Sequence, residues 1–156
     1  MDTKTIKLKH IAPYLPYKLM VHNFLSGKQY ELSVTSYIGD IQNKTESIKN
    51  VLAGISKPIL RNMKDLMKEI EVNGEKFVPI EKFEIGDDSI ADLTDTSTIE
   101  YNPGNIKLIA SLQWIAEHNA IFDLIFLPYG VIQKLFEWHF DVFGLIEKGL
   151  AITKEN

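Results

Sequence analysis

No cysteine occurs among the 156 residues. Its absence excludes disulfides, thiolate-held metals and cysteine nucleophiles, leaves stability to packing, and fits a reducing interior. Long apolar runs are missing too: none approaches the roughly 18 residues of a membrane span, and Met1-Asp-Thr-Lys lacks the basic-then-apolar layout of a signal peptide. The expectation is a cytoplasmic protein with no membrane partner, whose sequon Asn43-Lys44-Thr45 stays unglycosylated. There is also no G-x-S-x-G elbow, phosphate loop or G-x-G-x-x-G, and the four histidines stand apart at 10, 22, 118 and 139. No cofactor is expected from these motifs.

What is present is apolar material, 45% of the chain, which suffices for one globular domain with a core. Charge is uneven. Residues 1–78 hold 12 basic and 8 acidic groups, residues 79–156 hold 5 and 13. Lys4, Lys7, Lys9, Lys18 and Lys28 are thin beside the clustered stripe that phosphate binding needs, so a solvated surface is expected and nucleic acid is not. The acidic excess gathers at 81–100, seven carboxylates against Lys82 alone. Asp87, Asp88, Asp92 and Asp95 miss the EF-hand spacing, which reads as an acidic loop with cation binding left open.

The amino-terminal "LKHIAPYLPY" allows a single helical turn, because Pro13 and Pro16 each remove an amide donor. Leu19, Val21, Leu32 and Val34 then fall on one face of a hairpin turning near Ser26-Gly27, a register that sets His22 opposite Glu31 and Asn23 opposite Tyr30. Residues 39–57 have no clear period, with a short strand expected near 51–55. Asn62 reads as the cap of a helix over 63–69. In "EIEVNGEKF" the Asn73-Gly74 pair predicts a type I′ turn that matches Val72 with Glu75, Glu71 with Lys76 and Ile70 with Phe77; Pro79 ends or edges that strand. A 3.6-residue period from Asn105 to His118 predicts a helix capped by Asn102 or Asn105. A second helix should start at Pro128 and carry Ile132, Leu135, Phe136 and His139 on one stripe. "AIFDLIF" between them reads as either a strand or a loop.

One stretch resembles chemistry. "EWHFD" places Glu137, His139 and Asp141 within five positions. In a helix over 128–141, Glu137 and Asp141 share a wetter face at i, i+4 while His139 lies opposite with Leu135, Phe136 and Val142, so no metal pair of the H-E-x-x-H kind forms. His139 is expected to be a packed histidine between the two carboxy-terminal helices, with hydrogen-bonded ring nitrogens. Trp114 and Trp138 are expected as core or helix-contact residues; exposed together, they would mark a partner surface.

The strings "IAPYLPYKLMV", "KPILR", "EIEVNGEKFVPIE" and "LPYGVIQKLFEWHFDVFGLIEKGLAI" resemble a group of small uncharacterised proteins encoded by bacteriophages, prophages and integrated elements of gut anaerobic bacteria. The resemblance runs over most of the chain, is weakest at 25–55 and 87–103, and brings no catalytic residue with it. It implies an accessory protein acting in the bacterial host cytoplasm. A proline is expected after "PILR" in such relatives, where this chain has Asn62.

These readings predict an α+β fold with antiparallel hairpins from the first two thirds packed against a carboxy-terminal helical pair; parallel β-α-β units are disfavoured. Residues 1–156 form one domain, with a β-rich part at 1–86, the acidic loop at 87–103 and a helical part at 104–150. The leading functional expectation is a non-enzymatic protein-interaction module, its partner a host or phage protein or further copies of itself. The alternatives are a small hydrolase or cation-dependent enzyme assembled from scattered His, Asp and Glu residues, and a weak nucleic-acid binder. Several ionisable groups converging in one cleft, His139 or His118 among them, would favour the enzyme.

Overall fold

The computed structural model describes residues 5–32, 45–85 and 106–155. The fold is α+β. Two compact units compose it: the chain up to Leu60 together with Phe143–Lys154, and Arg61–Val142. The carboxy-terminal strand belongs to the first unit because it joins a sheet built from the first 60 residues.

In the first unit, helix α1 (Leu8–Ile11) runs into a 3-10 segment, Ala12–Tyr17, that contains both prolines. The α-helix is the single turn expected, and the prolines fall in the 3-10 segment that continues it. Strands β1 (Met20–Asn23) and β2 (Lys28–Leu32) form the expected hairpin with Leu19, Val21 and Leu32 buried. Its register differs: His22 pairs with Gln29 and Asn23 with Lys28. The turn is tighter than expected because the Asn23 carboxamide oxygen accepts from the amides of Leu25 and Ser26, and Gly27, at φ 70°, donates to the Asn23 carbonyl. Val34 lies outside the described residues.

The strand expected at 51–55 is instead helix α2 (Ile48–Leu52), with β3 (Thr45–Glu46) before it and β4 (Ser56–Leu60) after. Ser47 caps α2 by accepting from the Asn50 amide. With β7 (Ile152–Thr153) the sheet runs β3-β2-β1-β4-β7; β1 pairs antiparallel on both sides, and the outer pairs β2-β3 and β4-β7 are parallel. The sheet is therefore mixed.

In the second unit, Asn62 accepts from the Lys64 amide as expected, but the element it caps is a 3-10 turn, Met63–Met67. The hairpin β5 (Ile70–Val72) and β6 (Glu75–Phe77) has the predicted register, pair for pair, with Asn73 at φ 52° and Gly74 at φ 84° in the turn. Pro79 opens helix α3 (Pro79–Ile85), where its missing amide costs nothing. Helix α4 (Ile106–His118) buries Leu108, Leu112, Ile115 and Ala116; the caps proposed at Asn102 and Asn105, the acidic loop 87–103 and the sequon at Asn43 all lie outside the described residues. Helix α5 (Tyr129–Glu137) begins one residue after Pro128, which serves as its cap.

Ile70, Phe83, Leu112, Leu135 and Phe140 belong to one core shared by hairpin and helices. The expected packing of a hairpin on the carboxy-terminal helices thus holds for β5-β6, while β1-β2 belongs to the sheet of the other unit. Nor do α4 and α5 form a simple pair: α4 lies against the Met63–Met67 turn, α3 and the segment after it. That segment, "IFDLIF", is neither strand nor loop but a 3-10 turn, Ile121–Phe126.

Candidate functional site

Helix α5 stops at Glu137, four residues short of the helix expected over 128–141. Trp138 is the cap, and His139 swings to φ 62°. The His139 amide donates to the Phe136 carbonyl (3.0 Å) and the Phe140 amide to the Leu135 carbonyl (2.8 Å), the two bonds of a Schellman ending, with Phe140 and Leu135 in the shared core. Histidine here occupies the left-handed slot that glycine usually takes. It is half-buried, just past the end of α5.

Past this turn the chain pairs with residue 61. The Arg61 amide donates to the His139 carbonyl (2.7 Å) and the Asp141 amide to the Arg61 carbonyl (2.9 Å), so Asp141 is buried rather than on a wetter face. Glu137 is half-exposed and ion-paired to Lys134 at 3.1 Å. Three residues within five positions therefore do three separate structural tasks. Trp138 is buried as expected, tilted against Phe77 and Phe83 with the Lys134 ammonium over its ring. Trp114 is not: it is half-exposed on α4, stacked on His118 at 3.7 Å between ring centres.

Two buried polar centres escaped the sequence reading. The Arg61 side chain is buried; its Nε donates to the Trp138 carbonyl at the end of α5 (3.0 Å) and its Nη2 to the Glu71 carbonyl of β5 (2.7 Å). Burial lowers its pKa and the nearby Asp65 carboxylate opposes that shift. A cation at the negative end of α5 also complements the helix dipole. In the first unit the Glu46 carboxylate accepts from the Ser47 amide (2.8 Å), Asn50 Nδ2 (2.9 Å), Asn23 Nδ2 (2.6 Å) and Ser56 Oγ (2.6 Å). Burial alone would raise its pKa; the four donors outweigh that and hold it below its ordinary value. Ser47 before an apolar run is a cap signal in the sequence, but nothing in the linear order brings Asn23 and Ser56 to Glu46.

Among the described residues no three His, Asp or Glu side chains gather as a metal site, and no helix is long and apolar enough to cross a membrane. A pocket of about 170 Å³ in the first unit is lined by residues including Ile6, Val51, Leu52, Ser56 and Leu150, with Lys57 the one ionisable group among the described lining residues; His118 and His139 do not line it. Lys7, Lys9, Lys18 and Lys28 are exposed in the same unit, and Lys4 lies outside the described residues.

The feature that exceeds structural need is apolar and external. In the 3-10 turn Ile121–Phe126, three residues per turn place Ile121, Leu124 and Leu127 on one edge, and this edge faces the core. The next edge therefore faces solvent with Phe122, 92% exposed, and Ile125, 77% exposed. Phe126 at 45% and Tyr129 at 64% extend it onto the start of α5. A second, smaller apolar feature is the β1-β2 turn, where Phe24 and Leu25 are exposed. Comparison of this chain with protein-family models, with curated proteins and with solved structures finds no match.

Proposed function

We propose that the chain is a non-enzymatic protein-interaction module that contacts its partner through Phe122, Ile125, Phe126 and Tyr129. The observation carrying this reading is the exposure of those four large apolar side chains within eight consecutive positions. Clustered exposed aromatics are unfavourable in water unless something covers them, and Phe and Tyr are enriched where proteins meet. The polar centres support the same reading. Glu46 is saturated by donors and Glu137 is paired with Lys134, arrangements that hold structure together. The setting is that of the resemblance, a product of a phage or integrated element working in the host cytoplasm.

Affinity capture from host cells, read by mass spectrometry, tests this with the wild type beside the double variant Phe122→Asp/Ile125→Asp. Both positions are exposed, so the variant should keep the wild-type unfolding midpoint while losing the captured protein. Identical captures from the two would remove the reading.

A further inference from the structure

Helix α1 has only four residues, too few to persist without help at its ends. A histidine gives that help. The Lys7 amide donates to His10 Nδ1 (3.1 Å) and the His10 amide donates to the Lys7 carbonyl (2.9 Å), a reciprocal closure of the first turn. Nδ1 accepts only while it carries no proton, so the closure requires the neutral ring with its hydrogen on Nε2.

The same ring reaches the carboxy-terminal segment of the first unit. Its centre lies 5.5 Å from that of Phe143, whose ring also meets the buried Tyr14 edge-on at 6.5 Å. Lys148 turns back on this segment to donate to the Phe143 carbonyl (3.1 Å), which brings its charge within electrostatic reach of the imidazole. Lys7 and Lys9 bear on the ring from the other end of the chain. Among the described residues no carboxylate offsets these three cations at the ring; Glu147, beside Lys148 in sequence, does not act on it. Partial burial, and after it the repulsion of Lys9, Lys148 and Lys7, lowers the pKa of His10 below its ordinary 6.5.

We propose that His10 is a proton-operated clasp that holds α1 and the Phe143–Lys148 turn together when neutral and releases both when charged. Protonated Nδ1 is a donor facing the Lys7 N–H, another donor, so the bond that closes the first turn is lost. The new charge also meets three lysines with no counter-ion from the described residues, and it is repelled from both sides of the contact. Release stays local, because Ile11 and Tyr14 are fully buried and keep the rest of the segment in the core. The sign follows from the depressed pKa. Above 6.5 the ring is neutral in the open and closed forms alike, and the clasp holds at full strength; as pH falls from 6.5 through the folded value, the open form takes up the proton first and the closed form loses stability. Mild acid is thus the signal, the range in which histidine alone among unperturbed side chains changes charge.

Nuclear magnetic resonance on the full chain from about pH 8 to about pH 5 tests it. Imidazole nitrogen shifts should show the Nε2–H tautomer of His10 at the high end. As His10 titrates, the amides of Lys7, Gly149 and Leu150, corrected for the intrinsic pH dependence of exchange, should lose protection by roughly tenfold. Gly149 and Leu150 report on the turn because they donate to the Ile146 and Leu145 carbonyls. Amides of the β5-β6 hairpin, which carries no histidine, should not respond. His10→Asn, whose carboxamide oxygen accepts but does not titrate, should flatten the response, and Lys148→Gln should move the His10 midpoint upward. An Nδ1–H tautomer at neutral pH overturns the proposal. So does a His10 that titrates while Lys7, Gly149 and Leu150 keep their protection, or a His10→Asn variant that responds to acid as the wild type does. Where His10→Asn fails to fold, the wild-type tautomer and exchange profile decide by themselves.

Discussion

Arg61→Met should cost the second unit about 3 kcal/mol. The guanidinium donates to the buried Trp138 carbonyl at 3.0 Å and to the Glu71 carbonyl at 2.7 Å, and it faces Asp65. A hydrogen bond from a charged donor contributes roughly 1.5–3 kcal/mol, and the buried Trp138 carbonyl cannot turn to water once its donor is gone. The Glu71 carbonyl belongs to a half-exposed bond and rehydrates, so its loss is nearer 1 kcal/mol. Asp65, also buried, keeps its ion pair with Lys68 at 3.4 Å. Against these losses stands relief from burying a guanidinium, which repays part of the total when an apolar side chain of similar length takes its place. Arg61→Lys keeps the charge but cannot fork to two carbonyls, so it should be no better than Met.

Both tryptophans lie in the second unit, so indole fluorescence in urea follows that unit's unfolding. With a slope of about 2 kcal/mol per molar, the midpoint should fall by roughly 1.5 M. A midpoint within about 0.3 M of the wild type, or above it, would refute the reasoning: the two hydrogen bonds would then do no more than offset the desolvation of the charge.

Three further outcomes follow from the same geometry. His139→Gly should exceed His139→Ala by about 1 kcal/mol in urea melts, since φ 62° strains every residue with a Cβ. Glu46→Gln should lower stability at pH 7 by about 1–3 kcal/mol, because an amide nitrogen must then face one of four donors. Glu46 has a folded pKa below its ordinary 4.5, so its contribution is full above that value and is lost as pH falls through the folded pKa. The gap between wild type and Glu46→Gln, followed by circular dichroism, should accordingly narrow in acid. Asn73→Val should cost about 1–2 kcal/mol by fluorescence in urea, since a β-branched residue resists φ 52° in a type I′ turn.

Where local chemistry dominates, the amino-acid order alone determined the outcome. Asn73-Gly74 supplies the two left-handed residues that a type I′ turn requires, which fixed every pair of β5-β6. The 3.6-residue period of 106–118 made a helix, and Pro79 ended a strand by lacking an amide. Other features were decided only by the tertiary structure. "AIFDLIF" is apolar at six of seven positions, so no period distinguishes its edges until the core takes Leu124 and leaves Phe122 outside. The stop of α5 at Glu137 turned on the Schellman ending and on the pairing of residues 139–141 with Arg61, 78 residues earlier than His139. Glu46 likewise becomes a saturated carboxylate only when β1, α2 and β4 bring Asn23, Asn50 and Ser56 around it. Turn and helix signals act over two to four residues and can be read along the chain; a buried charge is satisfied by donors from wherever the fold supplies them, and linear order does not record that distance.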